Sequence, residues 1–357
     1  MPKRPYEGRV GKKVKRRRRH LYVVMKDEDG RCGIHEFDLS TNLLDDGHPV
    51  VEVLPPALNH FDSPSRGFFV AFGTKIMVFH SKSDKIGPPF CDVSTHNMGQ
   101  GPRTRSRLSQ PIYLPVCDKL VALDGNHSEL LYLPPLEGKW LRCKLPNLSF
   151  NLQDIISHAV HPDGRTIFVS FKSYSSTATF SLDTGSDHAR WRFHGMWGLP
   201  FTGRAHFVPG LNAWVGLSGD QDTLGHLCSC DVVSTDPDSS NKHSPPPWKL
   251  GKEKLFCKKS FEEHVGANLL YLGVETNFCL LHYFSVKDDD CMPHLLRLLT
   301  FSVKYDKNGD IWTCRILESS VNGARWTKSR RRRRCYKLPS AATILDPALQ
   351  VPVAFWM

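Results

Sequence analysis

Short apolar runs in near-alternating order recur along the chain and are punctuated by Gly, Asp, Asn and Pro. Alternation with a period of two puts successive side chains on opposite faces of a strand, so two such runs around a tight turn predict a β-hairpin. Five hairpins share one form: GFFVAFGTKIMVFH (67–80), IYLPVCDKLVALDG (112–125), SHAVHPDGRTIFVSF (157–171), AHFVPGLNAWVGL (205–217) and NLLYLGVETNFCLLHYF (268–284). Their turns, marked by Gly73, Asp118, Asp163, Gly210 and Val274, are 45, 45, 47 and 64 residues apart. Repeated four-stranded sheets have a period of roughly 40 to 50 residues. The longest interval contains DVVSTDPDSSNKHSPPP (231–247), whose Pro, Ser and Asp predict a surface loop.

A second, weaker hairpin follows each of the later ones: LLYLPPLEGKWLRC (130–143), ATFSLDTGSDHARWRF (178–193), HLCSCDVV with PPWKL (226–250) and LTFSVKYDKNGDIWTC (299–314). Trp140, Trp191, Trp248 and Trp312 then share one repeat position, with packing between neighbouring sheets as the expected role. In the last of these hairpins Asn308-Gly309 suits a two-residue turn with positive φ at both residues.

The ends complete the pattern. HLYVVM (20–25) and CGIHEFDL (32–39), with VVEVL (50–54) as an outer strand, supply a first sheet that lacks its innermost strand, and VPVAFWM (351–357) is a strand without a sheet of its own. The chain is therefore expected to be all-β: a β-propeller of about six blades, its ring closed by the C-terminal strand pairing into the N-terminal blade. A sandwich or barrel would also show alternating strands and stays open as an all-β alternative. No convincing amphipathic helix interrupts the pattern, which argues against an α/β fold. Residues 20–357 are expected to form one domain, with irregular loops at 231–247 and 318–350 and a basic, disordered tail at 1–19.

Charge changes this picture locally. The net charge of +11 looks like a nucleic-acid signal, but residues 1–20 carry +9 and residues 325–337 carry +8, which leaves the remainder at −6. The first run holds Lys12, Lys13, Lys15, Arg16, Arg17, Arg18 and Arg19; the second holds Arg330, Arg331, Arg332, Arg333 and Arg334. Such runs have the composition of a nuclear-import signal or a phosphate-contacting arm, and equally of a solvated tail and loop. Neither is interleaved with aromatics, so stacking on single-stranded bases is not expected. The apolar segment after the basic start is too short for a secretory signal, and no stretch approaches the roughly 18 residues of a membrane span. The chain is expected to be soluble, in nucleus or cytoplasm. Its 11 cysteines follow no spacing rule and are read as reduced thiols in cytosol or nucleus, most of them small core residues.

HLYVVM, HPDGRTIFVS, NAWVGL, GHLCSCDV, WKLGKEKLF, FCLL, KYDKNGD and VPVAFWM, taken together, resemble a large uncharacterised family of grass proteins, domain of unknown function 1668. Less closely they resemble kelch and galactose-oxidase-like propellers. The resemblance spans about residues 20–357 and implies a propeller with no established activity. The paired glycines of kelch strands and the WD dipeptide are absent, and no F-box-like helix precedes the first strand.

Chemistry-bearing motifs are few. His226, Cys228 and Cys230 fall on one face of a strand, as metal ligands would, but buried thiols account for the same spacing. His158 and His161 flank a hairpin turn without a partner carboxylate or HExxH context. DKNGD (306–310) has its glycine fourth rather than sixth and lacks a Glu at the twelfth position, so it is a turn and not a calcium loop. No Walker loop, GxGxxG or GxSxG occurs. No metal, cofactor or catalytic residue is expected. The reading that follows is a non-catalytic, monomeric protein-interaction scaffold with a partner the sequence does not identify. The alternative is a nuclear nucleic-acid-associated protein acting through 12–19 and 330–334.

Overall fold

A computed structural model describes residues 20–357 except 28, 40–50, 63–66, 81–86, 104–111, 124–127, 134–138, 148–153, 175, 187, 237–243, 257–260, 287–293, 315–331 and 339–352. The described residues are all-β, with two single-turn 3-10 segments and no α-helix. Among them no helix is long and apolar enough to cross a membrane.

The strands follow one another as meanders. The first sheet has β1 (Leu21–Lys26), β2 (Cys32–Phe37) and β4 (Ala57–Phe61), with β26 (Val353–Trp356) on its other edge, in the order β26-β1-β2-β4. The second runs β5 (Gly67–Phe72), β6 (Lys75–His80), β7 (Pro89–Asp92), β8 (Asn97–Gln100), and the third β9 (Ile112–Val116), β10 (Lys119–Leu123), β11 (Ser128–Tyr132), β12 (Leu141–Leu145). The fourth comprises β13 (Ile155–Val160), β14 (Thr166–Lys172), β15 (Thr177–Asp183) and β16 (Trp191–Gly195). The fifth comprises β17 (Phe201–Val208), β18 (Ala213–Ser218), β19 (His226–Asp231) and β20 (Trp248–Lys254). Parallel pairing of β13 with β17 joins these last two meanders edge to edge. The sixth contains β21 (Glu262–Tyr271), β22 (Asn277–Val286), β23 (His294–Tyr305) and β24 (Ile311–Cys314).

Period-two alternation explains how the sheets pack. In β1, Leu21, Val23 and Met25 turn to one side and meet Leu281, Leu296 and Tyr336 of the sixth sheet, while Tyr22 and Val24 turn to the other and meet Ile76 and Val78 of the second. Val70, Met77 and Phe79 pack on Leu120 and Leu131, joining sheets two and three. Leu114, Val121 and Leu130 meet Ile167, Val169 and Leu182, joining three and four. Phe168 meets Phe201 and Trp214 between four and five, and Val215 and Leu227 meet Phe278 and Leu299 between five and six. Each central strand is thus apolar on both faces because it lies between two cores.

The C-terminal strand pairs antiparallel with β1 through Tyr22↔Phe355 and Val24↔Val353, as the orphan terminal run suggested. Trp356 anchors it by donating from Nε1 to the Leu272 carbonyl at 2.7 Å.

Three expectations are corrected. Segment 318–350 is not irregular throughout: Arg332–Lys337 forms β25, paired with β23 from Thr300↔Arg332 to Leu295↔Lys337. The twelve-residue β23 outruns β24, which covers only Ser302–Tyr305, and β25 takes the backbone groups that remain. The outer strand of the first sheet is β4; Val51–Glu52 forms β3 and pairs parallel with β25 in the sixth sheet. At Asn308-Gly309 only Gly309 has positive φ (+74°), because the Asp306 carboxylate accepts from the Asn308 and Asp310 amides and closes a longer turn.

Candidate functional site

The junction of β13 and β17 gathers cationic side chains. Parallel register pairs Ser157↔Gly203, His158↔Arg204 and Ala159↔Ala205. Ala159 and Ala205, each 1% exposed, face the core with Phe168 and Trp214. Alternation therefore turns His158 and Arg204 to the opposite side. The β17–β18 register slips between Thr202 and His206, and Gly203 within that slip has φ +66°. This is a β-bulge with glycine in the left-handed region, the device by which a strand re-aims a neighbouring side chain. His206 follows, its ring nitrogen Nε2 lying 2.8 Å from the Leu269 carbonyl of β21. A carbonyl only accepts, so Nε2 carries the proton and Nδ1 keeps a lone pair.

The electrostatics of the three groups are mutual. Burial brings His158 down to about 3, with the Arg204 charge adding to the effect. His206 likewise falls to about 3 through burial and then Arg204, against the opposing bond to Leu269. Both imidazoles are neutral at pH 7. Desolvation lowers Arg204 as well, yet a guanidinium stays protonated. By surface area Arg204 is exposed and the two histidines are partly so. Arg204 thus reaches water although protein surrounds it closely. Among the described residues no carboxylate acts on any of the three, and Arg204 and His158 have no hydrogen-bond partner. An uncompensated cation beside two neutral imidazoles can accept an anion.

The residues singled out in the sequence lie elsewhere. Lys12 to Arg19, Arg330 and Arg331 fall outside the described residues. Arg332, Arg333 and Arg334 stand in β25, and Arg334 donates from Nη1 to the Asp38 carbonyl at 3.1 Å. Trp191 opens β16 and donates to the Pro146 carbonyl behind β12, and Trp140 precedes β12 with its ring 5.3 Å from Phe72. Both reach a preceding sheet. Trp248 and Trp312, at the starts of β20 and β24, are 53% and 41% exposed, because an outermost strand leaves one face to water.

His226 has Nδ1 2.7 Å from the Gly251 carbonyl, and Cys228 donates to the Pro200 carbonyl. Burial raises the Cys230 thiol to about 12 and Cys228 further, so both are protonated core groups. No group of three His, Cys, Asp or Glu among the described residues is placed to hold a metal ion. His161 lies 3.1 Å from Asp163 within its own turn, apart in role from His158. Arg204 and His206 went unnoticed in the sequence. Their signal is the spacing GRAH, which makes one face of an otherwise buried strand polar.

The chain resembles several solved structures in outline. A protein provisionally assigned as a 6-phosphogluconolactonase from Bacteroides uniformis is 10% identical, with 83% of this chain and 81% of that one covered at a TM-score of 0.42. A functionally unknown protein from Desulfotomaculum acetoxidans is 12% identical, with coverages of 82% and 78% and a TM-score of 0.41. Apo AztD from Citrobacter koseri is 12% identical, with coverages of 84% and 83% and a TM-score of 0.34. At such scores none bears on the argument. No curated protein matches the sequence. The family described as protein of unknown function, DUF1668, matches residues 18–315, most of the chain, and the chain belongs to that family.

Proposed function

We propose that the chain is a closed six-bladed β-propeller of the kelch and galactose-oxidase type, serving as a non-catalytic platform for a protein partner in the nucleus or cytoplasm. Support for the ring comes from the six core clusters, each of which joins one sheet to the next, the last joining the sixth sheet to the first. β13, β17 and β21 would then be innermost strands, and Arg204 would stand at the central channel.

The binding reading is carried by one observation: an exposed guanidinium with no counter-charge among the described residues, set on rigid strands at the junction of two sheets. A fixed, unpaired cation favours an acidic group on the partner and gives its position. The platform acts as a monomer. Nucleic-acid binding through the second basic run is less well supported, because Arg334 is already engaged with Asp38.

Affinity capture from native tissue extract tests the reading. Wild-type protein is expected to retain a partner whose yield falls at least tenfold with Arg204→Ala; the same partners at the same yield from both proteins end it.

A further inference from the structure

We infer that Arg204, His158 and His206 form a phosphate site that takes a phosphorylated serine or threonine side chain of the bound partner. The inference rests on the platform reading and adds the chemistry of the group recognised.

The choice of phosphate over carboxylate comes from the donors and acceptors present. Arg204 offers a planar, bidentate-capable cation with no competing partner among the described residues. His206 has spent its Nε2 proton on the Leu269 carbonyl, so its Nδ1 meets a ligand as an acceptor. A carboxylate at neutral pH brings only lone pairs, and one of them would oppose that of Nδ1. A phosphate monoester, whose second pKa lies near 6, is mostly a dianion at pH 7 but keeps a singly protonated form within reach. It then accepts from the guanidinium through its charged oxygens and donates its O–H to an imidazole. Alternatively the dianion holds the same proton as imidazolium on His158 or His206, so the pair balances in either protonation state. Among the described residues the titratable groups acting on the two histidines are Arg204 and, for His206, His158, and neither is an acid that would compete for the proton.

The geometry suits a side chain of limited reach. His158 and Arg204 are direct register partners across the parallel ladder, and His206 stands two residues beyond Arg204 on the same strand. Ala159 and Ala205 pin both strands to the core beneath, so the three groups need little reorganisation to converge on one anion. Loss of Arg204 leaves no orphaned acid among the described residues, which makes Arg204→Ala compatible with folding.

Calorimetry on the full chain tests the inference, with N-acetylphosphoserine amide, inorganic phosphate and N-acetylglutamate amide as probes. Expected are one-to-one binding of the phosphoserine amide, at least tenfold weaker binding of the glutamate amide, and at least tenfold loss with Arg204→Ala at an unchanged melting temperature. Arg204→Lys, which keeps the charge without the fork, should lie between. No binding of the phosphoserine amide, equal binding of the glutamate amide, binding of inorganic phosphate alone, or indifference to both Arg204 variants would each overturn it. The two readings fail separately. If phosphatase treatment of the extract leaves Arg204-dependent capture intact, the phosphate inference falls and the platform stands. If the phosphoserine amide binds but capture ignores Arg204, the partner reading falls.

Discussion

Gly203 and Gly216 both stand near the candidate site, and physics separates what they do. At Gly203 a Cβ would meet nothing within 4 Å, so the requirement for glycine is the φ of +66° alone. Gly203→Ala should cost about 1 kcal/mol through left-handed strain, read as a lower urea midpoint with an unchanged slope. At Gly216 a Cβ would come 2.6 Å from the Phe201 ring, inside β18 and against the core. Gly216→Ala should cost about 1 to 3 kcal/mol by overpacking. An Ala at 203 that leaves stability unchanged would contradict the bulge geometry that aims Arg204. At this scale the sequence was legible where residue type and environment agree: Cys228, Cys230 and Cys279 read as core thiols and are 0%, 1% and 0% exposed. It was not legible for Arg204, whose placement depends on a register slip between strands that no local pattern records.

Within the elements, β22 carries the clearest chemical tension. His282 is fully buried, stacked between Phe256 at 4.6 Å and Phe284 at 4.9 Å. Arg297, paired to Glu262 through 2.6 and 3.0 Å bonds, points Nη1 at His282 Nδ1, which leaves the Nε2 hydrogen without an acceptor. Burial, then Arg297 and His264, hold His282 down to about 2, against an ordinary value of 6.5. Because the unfolded chain takes the proton first, stability is complete above pH 6.5 and declines as pH falls towards 2. The loss from this one group is about 1.4 kcal/mol per pH unit. His282→Asn keeps an acceptor for Arg297 and removes the titration. The stability difference between wild type and His282→Asn should therefore shift by about 2 kcal/mol between pH 6.5 and pH 5. A constant difference over that range would show that His282 is not held neutral.

The hairpins were the legible elements, since each needs only two alternating runs and a turn. β7 and β8 escaped because they are four residues each, β8 is largely exposed, and their turn uses His96 at φ +59° rather than a glycine. The run at 50–54 was legible as a strand but not as a member of the sixth sheet, and β25 escaped for another reason. It is a strand because β23 and β3 supply its hydrogen bonds on its two edges, and β3 lies hundreds of residues earlier in the chain.

For the whole molecule, the terminal strand is the decisive contact. β26 covers the free edge of β1, places Ala354 in the core between the first and sixth sheets, and holds Trp356 to Leu272. Deleting residues 353–357 would open that edge and uncover Leu21 and Val23, both now 0% exposed. The truncated chain should melt at least 10 °C lower and associate, as seen by light scattering, and a synthetic VPVAFWM peptide added in trans should restore part of the loss. A truncated protein that melts like the full chain would remove the support for a closed ring. The parallel β3–β25 pairing is a second tie between the N-terminal region and the sixth sheet, so the two ends of the chain are crossed rather than merely adjacent.

Read by itself, the sequence determined the strand class, the hairpin period and the closing partner of the first strand, because alternation and turn chemistry are local and repeat. The tertiary structure alone decided the remaining neighbours of the strands, where the bulge falls, and that the parallel β13–β17 ladder sets His158 beside Arg204. Those facts depend on backbone hydrogen bonds between distant segments, and a backbone amide carries no residue identity for a sequence to display.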